Sequence, residues 1–430
     1  MNAATDAWTR RFTRDRIVFF LALGGLLTLG ICFIYSACYV SSEWPVRNRW
    51  LRQLFWLIPA GVLYGVVSRL DYRRLFPFFL LAWGVSLVLL VVVLLWGVRI
   101  GGARRWFCVA GLLFQPAEVA RFAALGAFCG CLSRTRSRFS SLSRLSLAFA
   151  LVFLPFVLIA VEPSLGNALT LLPPVVAVVL VERTPTRFFR LMTVGLVLVL
   201  VSYVGSLYWI RGREIHPSVI SEAASAYWPW PHHVRRVAFF VSDTGDWNDR
   251  QSVLAIAGGG AWGKGFRQGM MKMLGYLPRP VAPTDFIFSV IGEEAGFLLG
   301  TLPVLLLYGA LIFVSLSWAE RAPDSFGRSL CIAYSTLFCT HIGLNIGMTV
   351  RLVPVVGLPL PFLSYGGTFL VCSLGACGLM ASVATQAARE HSRAKAETPS
   401  NTGAPPPAPD APLAFADIRL TSLDDPSEGS

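Results

Sequence analysis

The sequence predicts an all-α, polytopic integral membrane protein with about ten transmembrane helices. Hydrophobic residues make up 55% of its 430 residues, charged residues only 14%, and the mean hydropathy is +0.60. Soluble domains average about a quarter charged residues. Apolar runs long enough to cross a bilayer recur along the chain, and short basic loops separate them. A lipid solvent explains this composition, because a soluble chain with so few charges could not cover its apolar surface.

The spans follow from the length of each apolar run, since a bilayer core needs about 20 residues of helix. The second, fourth and sixth runs are short or contain polar residues. A large loop, from about residue 211 to 284, separates the seventh and eighth spans. The predicted spans are 17–39, 53–68, 76–98, 116–132, 145–161, 167–182, 189–210, 285–317, 329–350 and 365–386.

The orientation follows from the basic residues, because loops on the cytoplasmic side carry an excess of Lys and Arg. Every second loop is basic, which places both termini in the cytoplasm. Lys and Arg outnumber Asp and Glu by 37 to 24, and this excess is an orientation signal rather than a sign of nucleic-acid binding. The Pro- and Ala-rich tail from 396 to 430 is predicted to be disordered, which leaves a membrane domain over 1–395. The cytoplasmic basic residues include Arg10, Arg11, Arg14, Arg16, Arg69, Arg73, Arg74, Arg134, Arg136, Arg138, Arg144, Arg183, Arg187, Arg190, Arg321, Arg328, Arg389, Arg393 and Lys395.

Some arginines lie in the opposite, outer loops, against the orientation rule, and this suggests that they serve another purpose. They are Arg52, Arg104, Arg105 and Arg351. After Arg105 the chain reads WFCVAGLLFQPAEVAR, where Pro116 suits the first turn of a helix. Glu118 and Arg121 then lie three residues apart on one helix face. A structural ion pair is one interpretation, and direct contact between Arg121 and substrate is the other.

The long outer segment contains three histidines, His216, His232 and His233, which could suggest a zinc site. No carboxylate or cysteine completes a zinc-ligand spacing, so the sequence does not predict a zinc site. In the glycine run at 258–260, sharp turns or close backbone approach are expected.

Asp285 lies at the outer mouth of a long apolar helix. An N-cap is the simplest role for such an aspartate, and a catalytic role can coexist with it. Glu293 and Glu294 lie about two turns deeper, where carboxylates pair or line a wet cavity. The segment 345–368 is broken by glycines and prolines at membrane depth. Such backbone is tolerated only where it is buried in protein or lines a cavity, so this segment marks a site or a groove.

Four strings in this order carry a resemblance to a known family: GARRW with FQPAE, QSVLAIAGGGAWGKG, TDFIFSVIGEEAGF, and NIGM with VPVVGLPLPFLSYGG. Over about residues 50–387 the chain resembles the SEDS family (shape, elongation, division and sporulation), typified by RodA and FtsW. The residues of the NIGM and GLPLPF strings favour the RodA branch. The resemblance implies a peptidoglycan glycosyltransferase that polymerises lipid II on the outer leaflet of the bacterial cytoplasmic membrane, for cell elongation or division. It also implies a class B penicillin-binding protein as partner.

The resemblance also implies roles for individual residues. Asp285, in the TDF string, corresponds to the family's essential aspartate. Glu118 and Arg121 match a Glu–Lys pair, with Arg replacing Lys. The candidate substrate-binding residues are Arg52, Arg104, Arg105, Trp106, Arg121, Arg236, Lys264 and Ser364. Three positions depart from the family pattern, namely Ser164 for an aspartate, Pro283 for a histidine and Arg351 for a glycine.

The implied chemistry needs a base and a set of cations. When a sugar hydroxyl attacks the anomeric carbon of a lipid-linked disaccharide, it must lose its proton, and Asp285 is suited to accept it. The departing pyrophosphate needs positive charge, which the outer arginines can supply. A divalent cation such as Mg²⁺ or Mn²⁺ could share that charge, although no ligand cluster in the sequence predicts one. A lipid flippase or transporter is the alternative function, and a non-catalytic scaffold is a third. The sequence shows no internal inverted repeat, which favours the enzyme.

Overall fold

The computed structural model describes residues 2–39, 44–100, 103–109, 111–134, 141–162, 164–182, 247–277 and 280–397. The chain divides into two compact units, residues 1–390 and residues 391–430, and the second is described only as far as Glu397. Several predicted features therefore lie outside the described residues: the span 189–210, most of the loop 211–284, the three histidines, Arg236 and the tail.

Helices dominate both described parts of the larger unit, and they are numbered in chain order. Before residue 183 they are α1 (Asn2–Cys38), α2 (Trp44–Arg47), α3 (Arg49–Arg69), α4 (Phe76–Trp96), α5 (Pro116–Arg134), α6 (Ser141–Val161), α7 (Leu165–Leu169) and α8 (Leu172–Val181), with a 3-10 turn at Tyr72–Leu75. After residue 246 they are α9 (Trp247–Gly259), α10 (Met270–Met273), α11 (Ile287–Gly296), α12 (Leu302–Glu320), α13 (Ser325–Thr349) and α14 (Gly367–Glu397), with a π turn at Phe297–Thr301.

Six helical segments of the described chain are long and apolar enough to cross a membrane. They are Phe12–Cys38, Arg49–Arg69, Tyr72–Trp96, Ile287–Glu320, Ser325–Thr349 and Gly367–Arg393. Large apolar side chains point outward from them, for example Leu81 and Leu306, each 64% exposed. Such exposure is costly in water and favourable in lipid. The prediction of an all-α, polytopic membrane protein is confirmed. Each predicted span within the described residues overlaps helix, although the span 167–182 is divided between the short helices α7 and α8. The total of about ten remains a prediction.

Helix α5 is buried at the centre of the helices that precede residue 183. This burial explains why its sequence is more polar than that of a typical membrane-spanning helix. Almost all of its side chains are buried. Its small residues let neighbours approach closely: a Cβ added at Gly126 would lie 2.4 Å from the Phe79 ring, and one at Gly130 would lie 2.1 Å from the Phe76 ring. Small residues at such interfaces are typical of packed membrane helices.

A small antiparallel sheet follows α4 and was not predicted. Its strands are β1 (Val98–Ile100), β2 (Ala103–Val109) and β3 (Leu112–Phe114), in the order β1-β2-β3. Val98 lies opposite Trp106, and Phe107 lies opposite Phe114. The sheet therefore holds the Arg104–Trp106 segment in an extended conformation.

The glycine run at the end of α9 permits close approach, as expected. A Cβ added at Gly259 would lie only 2.0 Å from the main-chain oxygen of Gly292, so α9 and α11 pack backbone against backbone. Gly260 follows with φ of +57°, which turns the chain away from the helix. Both features require glycine.

The bundle has two chemically different ends, which are recognised by their contacts. At one end, Arg73 pairs with Asp324 and Glu390, and Arg321 pairs with Asp15. At the other end, the start of α3 contacts the segments around Asp285 and Ser364. We call this second end the Asp285 end. The arginines at the first end belong to the loops that the sequence predicts to be cytoplasmic.

Candidate functional site

Asp285 lies on a tight turn that leads into α11. The amides of Thr284, Asp285 and Phe286 all donate to the main-chain oxygen of Val281, at 3.2, 3.0 and 3.2 Å. The aspartate side chain is half-buried, whereas the next residue, Phe286, is buried. The turn therefore holds a carboxylate at the edge of the bundle, and the buried Phe286 side chain follows it directly in the sequence.

The simple interpretation of Asp285 as a helix N-cap is wrong. The N-cap residue of α11 is Phe286, whose side chain forms no capping hydrogen bond. Asp285 lies one residue earlier, outside the helix.

The predicted broken segment 345–368 is helical at both ends and is non-helical over residues 350–366, which contact the Asp285 turn. The amide of Tyr365 donates to Pro283 O at 2.8 Å. The Ser364 hydroxyl donates to Thr284 O and accepts from the amide of Leu360 at 2.8 Å. Ser364 was proposed to bind substrate, but its hydroxyl already bridges two backbone groups and joins the segment to the turn.

Asn345, on α13, completes this attachment. Its Nδ2 donates to Asp285 O at 2.9 Å and to Leu358 O at 2.6 Å, and the side chain is fully buried. One amide thus connects the Asp285 turn to the broken segment. Its position in the NIGM string was the only sequence signal, and no local pattern indicated its partners.

Helix α3 contributes cations and an amide to the same end. Gln53 donates to Ser364 O at 3.3 Å and accepts from the amide of Gly366 at 3.2 Å. Arg49 donates to Pro280 O at 2.6 Å, and its guanidinium lies 5.5 Å from the centre of the Tyr365 ring. Arg52, which was predicted, is half-exposed on the next turn of the helix. Sequence reasoning missed Arg49 and Gln53, although both flank Arg52 within one helical turn.

The arginines of the small sheet contact backbone carbonyls. Arg104 donates to the main-chain oxygens of Leu94 and Leu95, at the end of α4, where a helix carries partial negative charge. Arg105 Nε donates to Glu162 O at 2.9 Å, and the neighbouring Trp106 is half-exposed. Arg104 therefore stabilises a helix terminus, and Arg105 joins the sheet to the turn after α6.

Glu162 lies buried in that turn, within the EPSLG string. Burial raises the pKa of its carboxyl to about 8, although the nearby Arg105 acts in the opposite direction. Among the described residues, neither carboxylate oxygen has a hydrogen-bond partner. The neutral form is therefore favoured near neutral pH.

Glu118 and Arg121 form the ion pair that their spacing predicted, and both are buried. Arg121 also donates to the Thr170 hydroxyl at 2.9 Å and contacts His341 Nε2 at 2.8 Å. Its side chain is 0% exposed, so a substrate could reach it only if the surrounding helices opened. The geometry supports the structural interpretation of this pair. His341 is a partner that the sequence did not suggest.

Glu293 and Glu294 are paired, which is one of the two outcomes expected for carboxylates at membrane depth. Glu293 accepts from Lys264 Nζ at 2.8 Å. Glu294 pairs with the buried Lys272 and accepts from the Ser36 hydroxyl. Lys264, predicted to bind substrate, is therefore engaged by a buried carboxylate, which favours a structural role.

Metal binding at the Asp285 end depends on the donor atoms that its residues offer. In the described part of the chain, no group of three or more His, Cys, Asp or Glu side chains is placed to hold an ion. Mg²⁺ is usually held by one or two carboxylates together with substrate phosphates, so the Asp285 carboxylate could supply one protein ligand to an ion that the substrate pyrophosphate also binds.

The fold and the site define a multi-pass membrane protein with a carboxylate at one end of a helical bundle. Comparison with known proteins gives its family. The family model described as "Cell cycle protein", for FtsW, RodA and SpoVE, matches residues 16–389. The chain belongs to this family, so the resemblance seen in the sequence is confirmed.

Relatives from both branches are similar to the chain. A probable peptidoglycan glycosyltransferase FtsW from Trichlorobacter lovleyi is 30% identical over 87% of this chain and 94% of its own length. The peptidoglycan glycosyltransferase RodA of Treponema pallidum is 28% identical over 84% of this chain and 96% of its own length. These similarities do not distinguish the RodA branch from the FtsW branch.

A solved structure supports the same conclusion. A chain of a peptidoglycan synthase complex, described as coordinating polymerization and crosslinking, aligns with a TM-score of 0.65 and 27% identity. The alignment covers 86% of this chain and 97% of that chain.

Proposed function

We propose that this protein is a peptidoglycan glycosyltransferase that polymerises lipid II, with Asp285 as the general base. The observation that carries the proposal is the placement of Asp285, half-buried on a turn that Asn345, Ser364 and Tyr365 attach to the broken segment. A turn held from several sides fixes a catalytic group better than a free loop does. Family membership and the names of the relatives supply the reaction.

In the proposed reaction, the C4 hydroxyl oxygen of one disaccharide attacks the anomeric carbon of another. The new C–O bond forms as the bond to the undecaprenyl pyrophosphate breaks, with inversion at that carbon. The hydroxyl proton passes to the Asp285 carboxylate, and the electron pair of the broken bond leaves on the pyrophosphate. General-base catalysis of this kind contributes about 10²–10⁴-fold to the rate.

The leaving pyrophosphate requires cations that a substrate can reach. Arg52 is half-exposed, and Arg49 contacts Pro280, five residues before Asp285. These two are the best-supported candidates among the described residues, because Arg104 caps a helix and Arg121 is buried. Arg236 was predicted on the same grounds and lies outside the described residues. Electrostatic stabilisation of a leaving group is strongest in a site from which water is largely excluded.

A lipid-linked substrate and a crosslinking partner fit the same scheme. The proposed site lies on the outer face of the bacterial cytoplasmic membrane, with both termini in the cytoplasm. The proposed partner is a class B penicillin-binding protein, which would crosslink the strands as they emerge. The relative found in a peptidoglycan synthase complex supports an assembly of this kind.

One experiment separates the enzyme from the flippase. The purified chain, with and without its cognate penicillin-binding protein, is reconstituted into proteoliposomes that contain fluorescent lipid II. The enzyme forms glycan polymers on a gel, whereas a flippase moves the fluorescent headgroup between leaflets without forming polymer. Translocation with no polymer in either sample would overturn the proposal.

The proposed orientation has its own test. Single cysteines introduced near residues 240 and 136, in an otherwise cysteine-free chain, are treated with a membrane-impermeant maleimide. We expect labelling near 240 in intact cells and labelling near 136 only after permeabilisation. The reverse pattern would place the proposed site on the wrong side of the membrane.

A further inference from the structure

Arg351 stands in a backbone conformation that arginine rarely adopts. It is one of three non-glycine residues with positive φ in the described chain, at +59°. The turn around it is a Schellman motif: the amide of Leu352 donates to Gly347 O at 2.7 Å, and that of Arg351 donates to Met348 O at 3.2 Å. Arg351 occupies the position after the C-cap, which glycine usually fills because it has no Cβ to strain. This explains why the related family has glycine at this position, and it raises the question of what the arginine contributes.

The Arg351 side chain lies close to a buried carboxylate on another helix. Its Nε lies 3.7 Å from Oδ2 of Asp249, whose side chain is only 4% exposed. A buried carboxylate is costly unless it has a cation nearby. Arg351 provides that cation from the end of α13 to the start of α9.

The same two helices meet again one turn further along. Ser252, three residues after Asp249, donates to Thr349 O at 2.7 Å, and its oxygen lies 2.6 Å from the Ser289 hydroxyl. Ser289 is on α11, four residues after Asp285. The last turn of α13 is therefore attached to α9 and to the helix that Asp285 precedes.

Helix α13, which ends two residues before Arg351, also carries Asn345, which donates to the main-chain oxygen of Asp285 at 2.9 Å. A displacement of the last turn of α13 would be passed to Asp285 by two routes, through Asn345 and through Ser252 with Ser289. We propose that Arg351 is a positioning residue. By pairing with Asp249 it fixes the end of α13 against α9, and so sets the position of the Asp285 turn. The part of this inference that concerns enzyme activity rests on the proposed function.

The test is a double-mutant cycle in proteoliposomes with lipid II as substrate. Arg351→Gly relieves the backbone strain and removes the cation that lies 3.7 Å from the buried Asp249 carboxylate. We expect its turnover number to fall about tenfold while KM stays within about twofold, since small displacements of a catalytic group act on the chemical step. Adding Asp249→Asn removes the buried negative charge that Arg351 faces, and turnover should recover to within about threefold of the unmodified chain. Arg351→Lys, which keeps a cation, should lose less than Arg351→Gly.

Arg267→Gly is the matched control. Arg267 also has positive φ, +67°, and its guanidinium stacks on Tyr39 rather than pairing with Asp249. This variant removes the same strain and the same charge, and it should keep turnover within about twofold. If Arg351→Gly turns over normally, the proposal is wrong. If its loss lies in KM and Asp249→Asn does not restore it, Arg351 contacts substrate instead.

A second measurement needs no substrate. Hydrogen–deuterium exchange of the peptide containing Thr284, Asp285 and Phe286 reports whether their amides still bond to Val281 O. Exchange should rise in Arg351→Gly and return in the double variant, and unchanged exchange would contradict the positioning role. If the unmodified chain forms no polymer, the proposed function fails while this readout still decides the inference.

Discussion

The Asn345 side-chain amide donates to the main-chain oxygen of Asp285 across 2.9 Å, although the two residues are 60 positions apart in the sequence. The same amide donates to Leu358 O, so one side chain serves two main-chain carbonyls, and that of Leu358 is buried. A buried carbonyl that loses its donor costs about 1–3 kcal/mol. Asn345 therefore connects the stability of the fold with the geometry of the proposed catalytic residue.

Replacing Asn345 with leucine, which has a similar size, should remove both hydrogen bonds. We expect a lower apparent melting temperature in detergent and at least a tenfold loss of lipid II polymerisation, because the Asp285 turn loses its attachment. Thr340→Ala on the same helix is the control, since the Thr340 hydroxyl donates to Thr336 O within its own helix. A leucine variant with normal activity would show that the turn is held without Asn345.

Asp285→Asn should abolish polymerisation while leaving the fold intact. Asparagine has nearly the same shape but accepts no proton at neutral pH, so the rate should fall by about 10²–10⁴. Asp285 is not the N-cap residue of α11, and asparagine keeps an acceptor oxygen at the same place in the side chain, so the loss of stability should be small. Gel assays of glycan polymer and size-exclusion profiles of the complex with the penicillin-binding protein would measure the two effects.

Asp71→Asn is the control for that substitution. Asp71 caps the 3-10 turn and accepts from the amide of Arg73, a role that asparagine fills about as well. It should keep full activity. If Asp285→Asn polymerises at close to the normal rate, the base must be sought among Asp243, Asp246, Asp249 and Glu294.

The buried pair of Glu118 and Arg121 should respond differently to single and paired changes. Removing one partner of a buried pair costs about 3–5 kcal/mol, since the other charge is left alone. Glu118→Gln and Arg121→Met should each lower the apparent melting temperature more than the exchanged pair Glu118→Arg with Arg121→Glu. The exchange should keep partial activity only, because Thr170 and His341 would then face a carboxylate. A stable exchanged variant with no activity would indicate that Arg121 contacts substrate.

The raised pKa of Glu162 predicts that the stability of the fold depends on pH. Its pKa is raised to about 8 in the folded protein by burial, against about 4.3 in an unfolded chain. Between these values the unfolded chain releases a proton that the folded protein keeps, so this carboxyl destabilises the fold increasingly as pH rises. Glu162→Gln removes the effect. The variant should therefore melt at a higher temperature than the unmodified chain at pH 8, and the difference should shrink towards pH 5.

The opposite trend would contradict the burial of Glu162. Glu390→Gln is a useful comparison, since Glu390 lies at the other end of the bundle and is partly exposed beside Arg73. We expect it to show a much smaller difference between pH 5 and pH 8, because exposed ion pairs contribute little.

The sequence by itself determined the class of protein and the main candidate. Apolar runs of bilayer length can be satisfied only as helices in lipid, so the spans could be located from composition alone. The Glu118–Arg121 pair was also visible, because residues three apart share a helix face whatever the rest of the fold does. Asp285 was found from its string and from its place at the start of an apolar helix.

The tertiary structure decided what these residues do. The contacts of Asn345, Ser364 and Gln53 join segments far apart in the sequence, and no local pattern contains that information. The structure also showed that Ser364, Lys264 and Arg104 are engaged by neighbouring groups, which composition could not reveal. Arg351 shows the difference most clearly. In the sequence, Arg351 was a departure from a family pattern. Only its positive φ and its distance to Asp249 gave it a physical role. Helix periodicity is local, whereas the pairing of buried polar groups depends on how the helices pack.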